Sequence, residues 1–397
     1  MIIGIDARFF GPRAKGLGRY TQKLVENLEK IDLENQYVIF LRPENFNDFI
    51  PQNPNFRKVL APWKWYSFKE QLFFPFAIRR AKVDLMHFPH FNAPLFYFGE
   101  FVVTIHDLIL RYFPPRRNGF WNGIIYWFKN LAYEMVIFRA LARAKKVIAV
   151  SQYVKKDILE HFKIKEEKIE VVLEGAPEES LKPALSEAEG LKVYPEQSRR
   201  RESEKLIKDK FKIAKPYLFY VGNAYPHKNL ENLIRAFEIL VKEYGLNLQL
   251  VLAGEEDYFW RRLKKQSNTS ILRSMEVLER IVFTGFLTEE ELEEFYRQTT
   301  LYVFPSFCEG FGLPPLEAMA RGAPVVSSDS TALPEILGEA AVYFDPGNPK
   351  DMAEKIHQVL SNDDLRKKLV EKGFERIKKY SWEKMAREIK EIYDGTF

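Results

Sequence analysis

The chain has little cysteine and no long apolar run. Its 397 residues include a single cysteine, Cys308, which excludes an internal disulfide framework and gives no zinc-binding pattern. No uninterrupted apolar stretch reaches the length needed to cross a bilayer. Residues 1–6 lead straight into a predicted strand without a charged leader, so we expect no signal peptide and a cytoplasmic protein in a reducing compartment.

An excess of one charge sign is also missing. The 60 Lys and Arg residues are nearly balanced by 55 Asp and Glu residues, which leaves a net charge of +5. This mild excess suits an anionic ligand or an acidic membrane surface, but it falls short of a nucleic-acid-binding protein. The sequence also lacks an Asp-x-Asp motif, so we expect neither a metal ion nor another cofactor.

Short apolar runs alternate with amphipathic stretches along the chain, which is typical of parallel sheets covered by helices on both faces. The length suits two such α/β domains. The predicted strands are residues 2–5, 37–41, 101–105, 146–150 and 169–172 in a first half, and 217–221, 248–253, 281–283, 301–305 and 324–327 in a second.

The domain boundaries follow from where this alternation stops. We place one domain at residues 1–174 and the other at residues 211–380. Residues 175–210 lack a sustained core pattern, which favours a polar insertion or linker. Residues 381–397 are expected to form a C-terminal helix that packs back on the N-terminal domain.

The most informative segment follows the predicted strand 301–305. Residues 308–317 read Cys-Glu-Gly-Phe-Gly-Leu-Pro-Pro-Leu-Glu, and the prolines favour a helix that begins near Pro314. Gly310 and Gly312 let the backbone approach a ligand, and the N–H groups of the new helix suit an anion such as phosphate. We expect Glu309 on the loop and Glu317 in the first helical turn. The alternative is an ordinary Gly-Pro connector with a Glu favoured by the helix dipole.

A second strand-turn-helix motif lies at residues 220–230, which read Tyr-Val-Gly-Asn-Ala-Tyr-Pro-His-Lys-Asn-Leu. Lys228 supplies a mobile positive charge, and His227 can add a hydrogen bond or a charge. Asn229 is predicted to cap a helix over residues 229–243. These groups suit a diphosphate, although an ordinary connecting turn with an exposed Lys would have the same pattern.

Together the two motifs resemble glycosyltransferase family four, a family of retaining, nucleotide-sugar-dependent enzymes. The resemblance covers almost the whole chain. It implies the GT-B architecture, an α/β fold with two Rossmann-like domains facing each other across a cleft. In the first half, residues 16–20 (Gly-Leu-Gly-Arg-Tyr) are similar to the family's acceptor-side loop, and residues 104–108 (Thr-Ile-His-Asp-Leu) to its histidine segment. Residues 87–92 and 333–335 recur in its mannosyltransferase-like branch.

The resemblance also implies roles for individual residues. Glu309 would contact the donor sugar, Glu317 the ribose and Lys228 the leaving diphosphate, while His106 would lie across the cleft near the sugar. The catalytic candidates are therefore Glu309, His106 and Lys228. The donor-binding candidates are Gly222, His227, Lys228, Glu309, Gly310, Phe311, Gly312, Leu313 and Glu317, and the acceptor-side candidates are Gly16, Gly18, Arg19 and Tyr20. Many relatives carry Arg where this chain has Asn223 or His227.

The expected function is transfer of a hexose to a glycan or lipid-linked glycan in cell-envelope polysaccharide synthesis. The preferred hexose is mannose, and its expected donor is GDP-mannose. A glucosyltransferase, a rhamnosyltransferase or a glycan synthase of the same fold is the alternative, followed by a nucleotide-sugar epimerase or a non-catalytic GT-B binding protein. A dinucleotide-dependent oxidoreductase is disfavoured, because no G-x-G-x-x-G sequence follows the first strand.

The first half is unusually aromatic in residues 62–68, 72–76 and 120–129, with Arg79, Arg80, Arg116 and Arg117 nearby. Packing in the hydrophobic core would explain most of these aromatic residues. Trp and Tyr mixed with basic residues also suit a peripheral contact with the inner face of a membrane that carries a lipid-linked acceptor. Both interpretations stay open from the sequence.

Overall fold

The computed structural model describes residues 1–11, 14–114, 120–177, 207, 209–214, 216–272 and 274–396. The chain divides into two compact units: residues 1–175 with 380–397, and residues 176–379. Most of the predicted insertion at 175–210, and its basic run at 199–201, lies outside the described residues.

Within the described residues, the first unit contains a sheet of seven parallel strands in the order β3-β2-β1-β4-β5-β6-β7. Its inner strands are almost continuous runs of Val, Ile, Leu and Phe, because helices cover both faces of such a sheet. The strands are β1 (Ile2–Asp6), β2 (Gln36–Leu41), β3 (Phe56–Leu60), β4 (Leu85–Phe88), β5 (Phe101–Ile105), β6 (Lys146–Ala149) and β7 (Ile169–Val171).

Amphipathic helices connect these strands and bury their apolar faces on the sheet. The helices of the first unit are α1 (Lys15–Ile31), α2 (Phe68–Ala81), α3 (Ile109–Tyr112), α4 (Phe120–Arg143) and α5 (Gln152–His161). The last helix of the chain, Trp382–Asp394, belongs to this unit and packs against α1. Its buried residues include Trp382 and Tyr393.

The second unit contains, among the described residues, a sheet of six parallel strands in the order β10-β9-β8-β11-β12-β13. The strands are β8 (Tyr217–Val221), β9 (Gln249–Ala253), β10 (Ile281–Gly285), β11 (Leu301–Phe304), β12 (Val325–Ser328) and β13 (Ala341–Phe344). β8 and β11 are neighbours in this sheet, so the two predicted motifs, which follow these strands, begin side by side.

The helices of the second unit are α6 (Leu230–Lys242), α7 (Tyr258–Gln266), α8 (Met275–Leu278), α9 (Glu289–Gln298), α10 (Leu313–Ala320), α11 (Leu333–Leu337), α12 (Pro349–Leu360) and α13 (Asp363–Ile377). The C-terminal helix Trp382–Asp394 is α14. None of the helices in the described part of the chain is long and apolar enough to span a membrane.

The predicted two-sheet α/β fold is confirmed. Three of the strands in the described residues, β3, β4 and β13, were not predicted from the sequence. β3 carries Arg57 and Lys58, and its edge position tolerates charge. β4 contains His87, and β13 has four residues. Each apolar run is too short or too interrupted to stand out from a helix segment or a loop.

Candidate active site

The turn between β11 and α10 has a backbone that depends on glycine. Gly312 has a φ of 99° and stands at the N-cap of α10. A Cβ atom there would lie 2.7 Å from Leu333 Cδ2, so a larger residue would be both strained and crowded. The predicted helix start near Pro314 agrees with the observed start at Leu313.

Backbone hydrogen bonds fix this turn beside the second motif. The Glu309 N–H donates to the Thr331 hydroxyl at 3.0 Å, and the Phe307 N–H donates to the His227 carbonyl oxygen at 2.7 Å. The second bond joins two segments that are far apart in sequence. The loop after β11 and the loop after β8 therefore form one local structure.

Lys228 and Glu309 form a salt bridge at the centre of this structure. Lys228 Nζ lies 2.5 Å from Glu309 Oε1, and the two side chains are 13% and 10% exposed. Lys228 Nζ also lies 5.6 Å from the centre of the Phe304 ring. A lysine and a carboxylate are thus held together at the carboxyl end of neighbouring parallel strands, where ligands of open α/β sheets bind.

Asn229 has a different role from the predicted helix cap. It precedes α6 in the left-handed conformation, with φ 59° and ψ 30°, and its side chain makes no capping hydrogen bond. Its amide instead donates to the carbonyl oxygens of Pro305 at 3.0 Å and Pro346 at 2.8 Å. Asn229 therefore connects the Lys228 turn to the chain that leads into the Glu309 loop.

The sequence allowed His227 either a hydrogen-bonding role or a positive charge, and its surroundings disfavour the charge. Burial, and then the neighbouring Lys228 charge, lower the pKa of His227 to about 4, with a smaller opposing effect of Glu309. At neutral pH the imidazole is uncharged. His227 can thus offer a hydrogen bond to a ligand, but it does not replace the charge of an arginine.

Glu317 lies deeper in its helix than predicted. α10 begins at Leu313, so Glu317 is its fifth residue and the first turn holds no acidic residue. The prediction of a first-turn position was wrong, because the helix starts one residue earlier than Pro314. Glu317 is buried, and its Oε2 accepts a hydrogen bond from the Tyr296 hydroxyl at 3.0 Å.

The remaining donor-side candidates lie on the same two loops. The Gly222 N–H donates to the Ala253 carbonyl oxygen at 3.0 Å, and a Cβ atom on Gly222 would lie 2.6 Å from the Tyr220 hydroxyl. Gly310 and Phe311 are buried in the turn that follows Glu309, and Leu313 is half-buried.

The acceptor-side candidates lie in the first unit, in the first two turns of α1. Gly16 is exposed and Arg19 is half-buried, whereas Gly18 and Tyr20 are buried. A Cβ atom on Gly18 would lie 2.0 Å from the Gly11 carbonyl oxygen, so the close approach of these loops requires glycine. The Tyr20 hydroxyl lies 3.1 Å from Thr104 Oγ1.

His106 follows β5, and both of its ring nitrogens have partners. Nδ1 lies 2.9 Å from Glu174 Oε1, and Nε2 lies 2.9 Å from the Pro89 carbonyl oxygen. The edge of Tyr20 packs against the ring at 4.6 Å between centroids. Burial alone would lower the pKa of His106, but the hydrogen bond and charge of Glu174 outweigh it, and the pKa is raised.

A chain of buried hydrogen bonds extends from this position to the last helix. Thr104 Oγ1 lies 2.9 Å from His87 Nε2, and His87 Nδ1 lies 2.5 Å from the Tyr393 hydroxyl. Burial, together with the charge of His106, lowers the pKa of His87 to about 3, so His87 is neutral. The His87 segment that the sequence singled out is therefore part of the internal support of this unit.

The structure places the candidates in two groups. The donor-side candidates are all in the second unit, and His106 and the α1 residues are all in the first. Sequence reasoning missed Glu174, Tyr296 and Thr331, which contact His106, Glu317 and Glu309 respectively. Glu174 had a usable signal, since it is a polar residue just beyond the carboxyl end of a predicted parallel strand.

Among the described residues, one group of His, Asp and Glu side chains is close enough to share a metal ion. It consists of Asp157, Glu160 and His161 on α5. None of the candidate site residues belongs to it.

Two family models match the chain, one in each half. The model described as Glycosyltransferase Family 4 matches residues 14–179. The model described as Glycosyl transferases group 1 matches residues 202–376.

The chain is 28% identical over 392 residues to O-antigen chain mannosyltransferase B of Escherichia coli, with 93% of each protein covered. It is also 29% identical over 287 residues to the serotype-specific mannosyltransferase WbdA of Escherichia coli. That alignment covers 72% of this chain and 32% of WbdA. The chain thus spans about a third of the length of WbdA.

Sucrose-phosphate synthase from Thermosynechococcus elongatus has a similar fold, with a TM-score of 0.73 and 21% identity. The match covers 99% of this chain and 98% of that one.

Proposed function

The chain belongs to the group 1 and family 4 glycosyltransferases of the GT-B fold, and on this premise we propose that it transfers mannose from GDP-mannose, with retention, to an α-mannoside. The acceptor is a growing cell-envelope polysaccharide or its lipid-linked precursor. The observation that carries this proposal is the Lys228–Glu309 pair, which joins a cation for the diphosphate to a carboxylate for the sugar.

Departure of the nucleoside diphosphate is the central chemical problem of this reaction. Lys228 stabilises the negative charge that develops on the leaving diphosphate, assisted by the N–H groups of the turn from Gly310 to Leu313. Neutral His227 adds a hydrogen bond, so Lys228 is the main side-chain charge in this group. The residues of this turn bind the diphosphate without a metal ion.

Glu309 orients the donor sugar by accepting hydrogen bonds from its hydroxyl groups, and Glu317 binds the ribose. The acceptor hydroxyl attacks from the face that the diphosphate leaves, and the departing phosphate oxygen takes the acceptor proton. Retention follows from this same-face displacement.

Mannose is favoured by the similarity of the chain to mannosyltransferases, one of which matches over nearly its whole length. UDP-glucose and dTDP-rhamnose are the competing donors, because a few contacts to the base and to sugar hydroxyls decide between them. A nucleotide-sugar epimerase or a non-catalytic protein of this fold would bind a donor without transferring the sugar.

The donor is tested by measuring thermal stabilisation with a panel of nucleotide sugars, since a ligand that binds the native state raises the melting temperature. We expect the largest shift with GDP-mannose, followed by transfer of mannose to an α-mannoside acceptor. NMR of the anomeric centre then assigns the linkage. A β-linked product would refute retention, whereas α-glucosyl transfer from UDP-glucose would refute the choice of donor alone. Hydrolysis or epimerisation without transfer would contradict a transferase.

For the acceptor side, we propose a peripheral contact between the first unit and an anionic membrane surface. α2 buries Phe74 and Ile78, while Phe68 and Phe76 are exposed, and its last turn carries two arginines, Arg79 and Arg80. Nearby basic residues lie over another exposed ring: Arg139 and Arg143 are 5.3 and 5.1 Å from the centre of Phe98. Aromatic and basic groups together suit the interface of an acidic bilayer. The side chains of residues 120–129, including the predicted aromatic segment, lie outside the described part.

Sedimentation with vesicles tests this contact. We expect the protein to bind vesicles of phosphatidylcholine with phosphatidylglycerol more strongly than phosphatidylcholine alone, and Phe68→Ser with Phe76→Ser to weaken binding. Met275→Ser is the control, because it removes an equally exposed apolar side chain from the second unit. Equal loss of binding in the control, or no binding to either vesicle, would contradict the proposal.

A further inference from the structure

We propose that Glu174 holds His106 as a doubly protonated imidazolium, so that His106 acts as a fixed cation beside the substrate and not as a general base. Glu174 is then a positioning residue for the reaction. Its role in turnover rests on the proposed function, whereas the protonation state of His106 does not.

The partners of the two ring nitrogens carry this assignment. Nε2 faces the Pro89 carbonyl oxygen at 2.9 Å, and a carbonyl oxygen can only accept, so Nε2 carries a proton. Nδ1 faces Glu174 Oε1 at the same distance, and an ionised carboxylate can only accept as well. Both nitrogens therefore donate, and the ring has no lone pair left with which to remove a proton from a substrate.

The other groups around His106 support a positive charge on it. The titratable groups that face it are Glu174 beyond β7, Asp107 on its own loop, Tyr20 on α1, and His87 and His90 at the end of β4 and just after it. Burial and the charge of His106 hold the pKa values of His87 and His90 at about 3, so both are neutral. Asp107 adds a second negative charge, and the Tyr20 hydroxyl is engaged by Thr104.

The backbone around Glu174 is fixed by close packing. The next residue, Gly175, is pressed against Trp382, such that a Cβ atom on Gly175 would lie 2.5 Å from the Trp382 ring. Glu174 itself is buried. The carboxylate is thus held at one place relative to His106, whose side chain stays 17% exposed and can be reached by a ligand.

A fixed imidazolium favours an anion or an oxygen with developing negative charge, and it disfavours a mechanism in which a histidine accepts the acceptor proton. This agrees with a displacement in which the leaving phosphate oxygen takes that proton. In this role His106 acts through its positive charge and does not exchange a proton during the reaction, although histidines commonly titrate near neutral pH.

The test compares Glu174→Gln with Glu170→Gln in the full-length protein. Glu170 lies on β7 of the same unit, with its side chain 45% exposed and paired with Lys146, so it is a matched control. Long-range proton–nitrogen NMR of nitrogen-15-labelled histidine distinguishes an imidazolium from each neutral tautomer, and the spectrum of His106→Gln assigns the His106 signals.

We expect two protonated nitrogens on His106 at pH 7 in the wild type and in Glu170→Gln. In Glu174→Gln, the midpoint of the His106 titration should fall by about one to three pH units, because an opposite charge in contact has been removed. A neutral His106 in the wild type, or an unchanged titration in Glu174→Gln, would overturn the proposal.

Turnover provides the second readout. We expect Glu174→Gln to lower kcat by about 10-fold or more, because a fixed cation beside the substrate is lost, while the KM for the donor changes little. Activity should also decline at a lower pH than in the wild type. Unchanged kcat with a neutral His106 would overturn the positioning role. If the wild type transfers no sugar from any donor, the proposed function fails, and the NMR spectra still decide the state of His106.

Discussion

Replacing Lys228 with Met should weaken donor binding and destabilise the protein at the same time. Lys228 Nζ and Glu309 Oε1 are 2.5 Å apart, and at an effective dielectric constant of about 20 two unit charges at this distance attract by about 7 kcal/mol. Desolvation of both groups cancels most of this attraction, so we expect a net coupling of about 1 to 3 kcal/mol. The single variant leaves the buried Glu309 carboxylate without its cation, which costs about 3 kcal/mol of unfolding free energy.

The same substitution should also weaken the binding of the donor. A charge-assisted contact to the diphosphate contributes about 1.5 to 3 kcal/mol, so Lys228→Met should raise the Kd of the nucleotide sugar by about 10- to 150-fold. Glu309→Gln frees the ammonium from its competitor, so the Kd for the free nucleoside diphosphate should stay the same or fall. The double variant completes a cycle in which the coupling energy is measured directly.

Urea unfolding and isothermal titration calorimetry measure the two effects. The control is Lys242→Met, because Lys242 pairs with Glu276 at the same 2.5 Å but with side chains 43% and 55% exposed. Solvent screens an exposed pair, so this variant should change stability and donor affinity little. Unchanged donor affinity in Lys228→Met, with the fold intact, would remove Lys228 from the site. A coupling energy of zero would refute the role of the buried pair.

Three further predictions concern the same site. Glu309→Gln should keep the fold and the nucleotide affinity while turnover falls at least 10-fold, since the carboxylate binds the sugar; wild-type turnover in steady-state kinetics would mean that this carboxylate is misassigned. Activity should survive EDTA, because the sequence has no Asp-x-Asp motif; a complete loss that Mg²⁺ or Mn²⁺ restores would contradict metal independence. The pKa of His227 is lowered from 6.5 to about 4, so the unfolded chain binds a proton that the folded chain does not. Its contribution to stability is therefore present above pH 6.5 and lost as the pH falls towards 4, by roughly 3 kcal/mol in urea unfolding. His227→Gln should flatten this dependence, and an unchanged slope would show that His227 is not its source.

The sequence by itself determined the two-sheet α/β plan, with all strands but β3, β4 and β13 of the described residues, and the position of the donor-side turns. Alternating apolar runs predict strands covered by helices, and two glycines followed by two prolines in residues 310–315 predict a turn that leads into a helix. The resemblance to the family is carried by residues 220–230 and 308–317, which are two continuous segments of the sequence. These features are local, so a window of about ten residues contains the information.

Only the tertiary structure decided which side chains meet. Lys228 and Glu309 are separated by 81 residues, and His106 and Glu174 by 68. They come together because the carboxyl ends of parallel strands share one edge of a sheet, yet strand order and loop packing choose the pairs. Charge states depend on the same packing: burial makes His227 and His87 neutral, whereas the buried carboxylate of Glu174 raises the pKa of His106. The sequence places six histidines along the chain, but it does not give their surroundings, and the surroundings set each pKa.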